Sequence, residues 1–181
     1  MHGGVLGGTL KRGVLKVGDE IEIKPGLVIK EKNQIVYETV KTKIASIYRG
    51  SYPVTKATSG GSLSIETTLD STLTKGDRLS GCLASLIGEL PENSSNLKIK
   101  ASLFSELSGT EKREKIEDFK LGELLMLSVN TSITVGKINN IDKDNLSLSL
   151  NIPVISFKGD SLGIARNINN HWRLIGVGKV I

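Results

Sequence analysis

The residues of this 181-residue chain whose types could do chemistry are few: His2, His171, Cys82 and the glycine run Gly3-Gly4-Val5-Leu6-Gly7-Gly8-Thr9. A zinc site needs about four nitrogen or sulfur ligands; two histidines at opposite ends of the sequence and one cysteine cannot supply them. Cys82 lies in Leu79-Ser80-Gly81-Cys82-Leu83 with no histidine beside it to lower its pKa, so it reads as a small buried residue. A nucleotide phosphate loop ends in Gly-Lys-Ser/Thr and opens a helix. Here Gly8 is followed by Thr9-Leu10-Lys11-Arg12-Gly13, with no helical period after it. No elbow-type turn presents a serine, and the carboxylates fall in charge runs. The sequence therefore carries no catalytic machinery, and it points to binding.

The elements that must position binding residues are strands. Ile21 and Ile23 alternate with Glu20, Glu22 and Lys24, and the run is expected to stop at the turn dipeptide Pro25-Gly26. Val28 to Tyr37 reads as two strands about a Lys30-Glu31-Lys32-Asn33 tip, and Ile44, Ile47 and Tyr48 as another. Leu63, Ile65, Thr67 and Leu69 alternate, as do Leu146, Leu148, Leu150 and Ile152, while Val129, Thr131, Ile133 and Val135 are expected to share one face. Leu15 to Ile21 and Leu73 to Leu79 echo each other, each with a Gly-Asp pair expected to turn the chain into a strand. Strands at this density predict an all-β fold of two consecutive barrels, residues 1–90 and 91–181, divided at the Pro- and Asn-rich stretch Gly88 to Asn96. The mixed-sign run within Leu107 to Lys120 reads as a solvated loop or short helix. Trp172, the single tryptophan, is expected to anchor the last strand with Arg173 facing outward.

The charge balance, 24 Lys and Arg against 19 Asp and Glu for a net +5, is compatible with nucleic acid but too mild to demand it. No run of 18 or more apolar residues exists to span a membrane, and a lone cysteine suits a reducing, cytoplasmic setting.

Five stretches together carry a resemblance. They are Gly3 to Thr9, Gly13-Val14-Leu15-Lys16-Val17-Gly18-Asp19-Glu20-Ile21-Glu22-Ile23-Lys24-Pro25-Gly26, Leu69-Asp70-Ser71-Thr72-Leu73-Thr74-Lys75-Gly76-Asp77, Glu123-Leu124-Leu125-Met126-Leu127, and His171-Trp172-Arg173-Leu174-Ile175-Gly176. In this order they resemble the C-terminal part of the gamma subunit of the eukaryotic and archaeal translation initiation factor that brings initiator methionyl-tRNA to the small ribosomal subunit. The resemblance implies translational-GTPase domains II and III, both β-barrels, without the G domain that would hold GTP and magnesium. It implies no cofactor within this stretch, a first strand of domain II lying outside it, and Met1-His2 as an expression remnant. A barrel short of that strand is expected to present an unpaired edge and to self-associate or loosen there.

By the same resemblance, the pocket for the aminoacylated tRNA end falls on Gly60, Gly61, Ser62 and Ser64, within Gly60 to Ile65, and on the neighbouring Arg78. The docking loop for the alpha subunit falls on Tyr48, Arg49, Ser51 and Tyr52. The implied partners are the alpha and beta subunits, initiator methionyl-tRNA, the small ribosomal subunit and, on domain III, an assembly chaperone. Ser59, Glu66, Ser71 and Val177 stand where the family usually has proline, glycine, proline and tryptophan. Two other readings remain open: a scaffold that binds proteins alone, and the double-barrel tail of an elongation-type factor.

Overall fold

The computed structural model describes residues 3–31, 34–107 and 115–181. The Lys32-Asn33 tip, His2 and residues 108–114 of the charge run lie outside them. The chain divides into two compact units, Met1–Leu90 and Pro91–Ile181.

In the first unit the strands are β1 (Val5–Thr9), β2 (Val14–Lys16), β3 (Glu20–Glu31), β4 (Gln34–Arg49), β5 (Tyr52–Val54), β6 (Lys56–Thr58), β7 (Ser62–Thr67) and β8 (Leu83–Leu86). One sheet runs β1-β7-β4-β3-β8 with β5 attached to β4, and β2 pairs with β6 apart from it. The two sheets share one core, in which Leu15 and Ala57 meet Ile21, Ile44, Ile47, Leu63 and Ile65. These are the residues that alternate with polar ones in the sequence, so each strand puts one face inward. Among the described residues, β1 and β8 are the edges of the larger sheet.

Two expectations fail here. Pro25-Gly26 does not end a strand: β3 continues through it, with the register slipping between Ile23 and Leu27, so the pair forms a buried bulge rather than a turn. Gly26 is required there, since its φ is +93° and a Cβ would lie 1.8 Å from the Glu38 carbonyl oxygen. The two Gly-Asp echoes also differ. Gly18-Asp19 does turn the chain into β3, with Asp19 Oδ2 accepting from the Lys16 amide at 2.8 Å. Gly76-Asp77 instead lies in a 3-10 turn, Lys75–Asp77, after another at Ser71–Leu73, and the next strand starts at Leu83.

The second unit is a closed barrel in the order β10-β11-β12-β9-β14-β13. Its strands are β9 (Ser94–Leu103), β10 (Leu124–Val129), β11 (Ser132–Asp142), β12 (Asn145–Val154), β13 (Ser161–Ile168) and β14 (His171–Val180). Ile99, Leu125, Leu127, Ile138, Leu146, Leu148, Ile164 and Ile175 fill it, each less than 2% exposed. Asn169-Asn170, both at positive φ, make the two-residue loop between β13 and β14. Val129 and Ile133 do not share a strand. Asn130, at φ +51°, ends β10 and starts a hairpin, leaving Val129 buried and Ile133 62% exposed. Ile152 likewise leaves the Leu146–Leu150 face, because the register slips after Ser149. Trp172 is not a core anchor: it is 39% exposed at the start of β14, and the inward residues of that strand are Ile175, Gly176, Gly178 and Val180. Arg173 is half-buried rather than fully outward.

Candidate nucleic-acid and subunit interface

The outer face of the β1-β7-β4 ladder is set by strand register. Ser64 pairs with Gly7 on one side and Tyr48 on the other, and Glu66 pairs with Val5 and Ser46. Ser62 pairs with Thr9. Because Leu63 and Ile65 face the core, Ser62, Ser64 and Glu66 must face away from it. The glycine run serves two purposes here. Gly3 and Gly4 are close-packed, since Cβ atoms there would lie 1.7 Å from the Thr67 carbonyl oxygen and 2.6 Å from Thr74 Cγ2. Gly7 and Gly8 are exposed, and a Cβ would meet nothing within 4 Å. The run forms a strand with no helix directly after it, so it does not fit a cradle for nucleotide phosphates.

At the Ser62 end of β7 the chain turns through Ser59-Gly60-Gly61, with Gly60 at φ +101° and Gly61 at φ +72°. The Gly60 amide donates to the Leu10 carbonyl at 3.3 Å. Arg49 reaches the same turn: Nη1 donates to the Gly60 carbonyl at 2.8 Å and Nη2 to the Thr58 carbonyl at 2.6 Å. Tyr48 and Arg49 close β4, and Gly50-Ser51 turns the chain into β5, where Tyr52 pairs with Arg49 and is 75% exposed. The structure thus brings Tyr48 and Arg49 beside Gly60, Gly61, Ser62 and Ser64, with Ser51 and Tyr52 on the adjoining turn. Arg78 is exposed beyond the second 3-10 turn, in the segment between β7 and β8.

Glu66 is half-buried and its Oε2 accepts from Ser46 Oγ at 2.7 Å. Ser46, which the sequence reading did not single out, therefore orients the Glu66 carboxylate. Only the cross-strand register could have identified it. Near the other end of β7 the Asp70 carboxylate accepts from the Thr72 amide and hydroxyl at 2.8 and 2.7 Å, which holds its pKa below the ordinary value. Burial raises the Cys82 pKa, so the thiol stays protonated. Among the described residues no cluster of three or more His, Cys, Asp or Glu could hold a metal, and no helix is long and apolar enough to cross a membrane.

The second unit presents a groove of about 740 Å³, lined among others by Lys100, Leu103, Phe119, Ile141 and Lys179. Phe119 is held by Arg166, whose guanidinium carbon lies 5.9 Å from the ring centroid. Arg166 also forks onto Glu123 and donates to the Glu117 carbonyl at 2.8 Å.

Comparison with known proteins bears on both units. Residues 95–180 match the family described as "Initiation factor eIF2 gamma, C terminal". Proteins named translation initiation factor 2 subunit gamma match nearly the whole chain. The one from Pyrococcus horikoshii is 42% identical over 178 residues, 98% of this chain and 43% of its own length. The one from Methanocaldococcus jannaschii is 41% identical over 180 residues, 99% and 44% respectively. The one from Methanococcus maripaludis is 42% identical over 181 residues, 100% and 44%. The chain spans less than half the length of these relatives.

Proposed function

The chain belongs to the translation initiation factor 2 gamma family through its C-terminal part, and on that premise we propose that its first unit holds the aminoacylated end of initiator methionyl-tRNA. The observation that supports this is the bare backbone of Gly7 and Gly60 beside Ser62, Ser64 and Tyr48 on the outer face, where a Cβ at either glycine would meet nothing within 4 Å. Gly60, Gly61, Ser62 and Ser64 form the floor of the pocket. Arg78 contributes its positive charge to the same pocket. The alpha subunit docks on the turn formed by Tyr48, Arg49, Ser51 and Tyr52.

The second unit serves as scaffold and takes the assembly chaperone, while the beta subunit, GTP and magnesium belong to portions of the factor outside this chain. The assembled factor acts on the small ribosomal subunit. A binding titration of the chain with charged and uncharged initiator tRNA at two salt concentrations tests this, with the alpha subunit's C-terminal domain in parallel. Preference for the charged form and a steep loss of affinity with salt are expected. Equal affinity for both forms, or none for either, would sink the tRNA assignment.

A scaffold that binds proteins alone has one observation in its favour: the outer face of the second barrel exposes Trp172 (39%), Leu174 (52%) and Leu124 (56%). Salt-tolerant binding of the alpha domain with no tRNA binding is the outcome that would establish it.

A further inference from the structure

We propose that Arg49 is a positioning residue that joins the 50–52 turn and the 58–61 turn into a single binding element, aiming the Ser59 and Gly61 amides outward at an oxygen-rich ligand group. This rests on the reading that the glycine-bare face receives an RNA end, and it adds how that face is held and linked to the neighbouring turn.

Ser59-Gly60-Gly61 has almost no side chain with which to pack, and its two glycines sit at positive φ. Such a turn has many accessible conformations, so something outside it must select one. Its anchors are the Gly60 amide bond to Leu10 and the Arg49 fork onto Thr58 and Gly60. Both Arg49 acceptors are carbonyls, and the peptide bonds that follow them are trans. In a trans peptide the carbonyl and the next N–H point in opposite directions. The guanidinium therefore fixes the Ser59 and Gly61 N–H groups away from itself, leaving two donors with a cation behind them. That arrangement suits a phosphate or ester oxygen. Arg49 itself ends β4 and pairs with Tyr52 across Gly50-Ser51, so a partner that moves that turn moves the guanidinium.

A planar fork is needed to reach two carbonyls at once; a lysine ammonium could take one. The test uses the chain with Arg49→Ala and Arg49→Lys. Amide hydrogen exchange is read first without ligand. Exchange at Gly60, whose amide bonds the Leu10 carbonyl, should rise at least tenfold in R49A and less in R49K, while amides of β12 stay unchanged. No change at Gly60 in R49A overturns the positioning role, whatever any RNA result. Amide chemical shifts are then followed on adding charged initiator tRNA. In the wild type, Gly50 and Ser51 should shift together with Gly60 and Gly61; in R49A that response at Gly50 and Ser51 should vanish. Shifts confined to residues 59–61 in the wild type overturn the joining of the two turns. Failure of tRNA to bind at all refutes the proposed function and leaves the exchange result to decide the role of Arg49.

Discussion

Arg166, on β13, gathers the segment that leads into β10. It forks onto Glu123, with Nη2 to Oε2 at 3.2 Å, and their side chains are 15% and 16% exposed. It also donates to the Glu117 and Asp118 carbonyls at 2.8 and 3.3 Å and lies over Phe119. Arg166→Ala therefore strips two backbone acceptors of a charged donor and leaves a largely buried carboxylate without its cation. Breaking such a pair costs about 3–5 kcal/mol when burial is complete; the remaining exposure brings the expectation to about 3 kcal/mol. For a domain of this size that lowers the midpoint by about 12–24 °C. Trp172 is the only tryptophan and lies in β14, so thermal unfolding followed by its fluorescence reports on this unit. Glu123→Leu/Arg166→Leu should cost less than the sum of the single changes, because neither charge is then left alone. Lys120→Ala, which breaks the exposed Lys120–Glu117 pair, should leave the midpoint in place. A midpoint shift under about 4 °C in R166A, equivalent to less than about 1 kcal/mol, would refute the reasoning.

Three further outcomes are expected. Gly26→Ala must displace the Glu38 carbonyl and should unfold or severely destabilise the first unit, whereas Gly7→Ala meets open space and should leave stability within about 0.5 kcal/mol while weakening tRNA binding; urea unfolding and the tRNA titration check the pair. Glu22 and Lys24 are 5% and 7% exposed, 3.7 Å apart, and both bond Leu90, so Glu22→Ala should cost about 3–5 kcal/mol in urea unfolding while the double change to leucine restores most of it. The Asp70 carboxyl titrates below its ordinary 3.8 because it accepts from the Thr72 amide and hydroxyl, so the stability it lends is present above pH 3.8 and lost as pH falls through the lower folded value. Exchange of the Thr72 amide should accelerate in that window, and Asp70→Ala should exchange fast at every pH.

What the sequence could reveal was set by how local each cause is. Alternation marked Leu63, Ile65, Leu146 and Leu148 as inward because one strand's period decides it without reference to neighbours. Pro25-Gly26 was misleading because turn chemistry and bulge chemistry use the same residues, and only the pairing of β3 with β4 selects between them. Val129 to Val135 was misleading for a related reason: Asn130 adopts a left-handed conformation that valine-rich periodicity hides. Trp172 shows a different failure, since size argues for burial but the inward face of β14 belongs to Ile175, Gly176 and Gly178.

The candidate site was legible by type and not by assembly. The resemblance supplied the residues, but nothing local says that Gly3 and Gly4 are packed tight while Gly7 and Gly8 stand open. That difference follows from which residues of β7 and of the turn after it lie opposite each glycine. The same non-local pairing puts Ser46 against Glu66 and turns Arg49 from a free docking cation into the clasp of the 58–61 turn. A guanidinium engaged by two carbonyls is poorly placed to contact a partner's charge, so its contribution to binding must run through the backbone it holds. The two surfaces that the sequence suggests as separate sites, one at residues 48–52 and one at 60–64, therefore share a structural element. Binding at either should be felt at the other through Arg49.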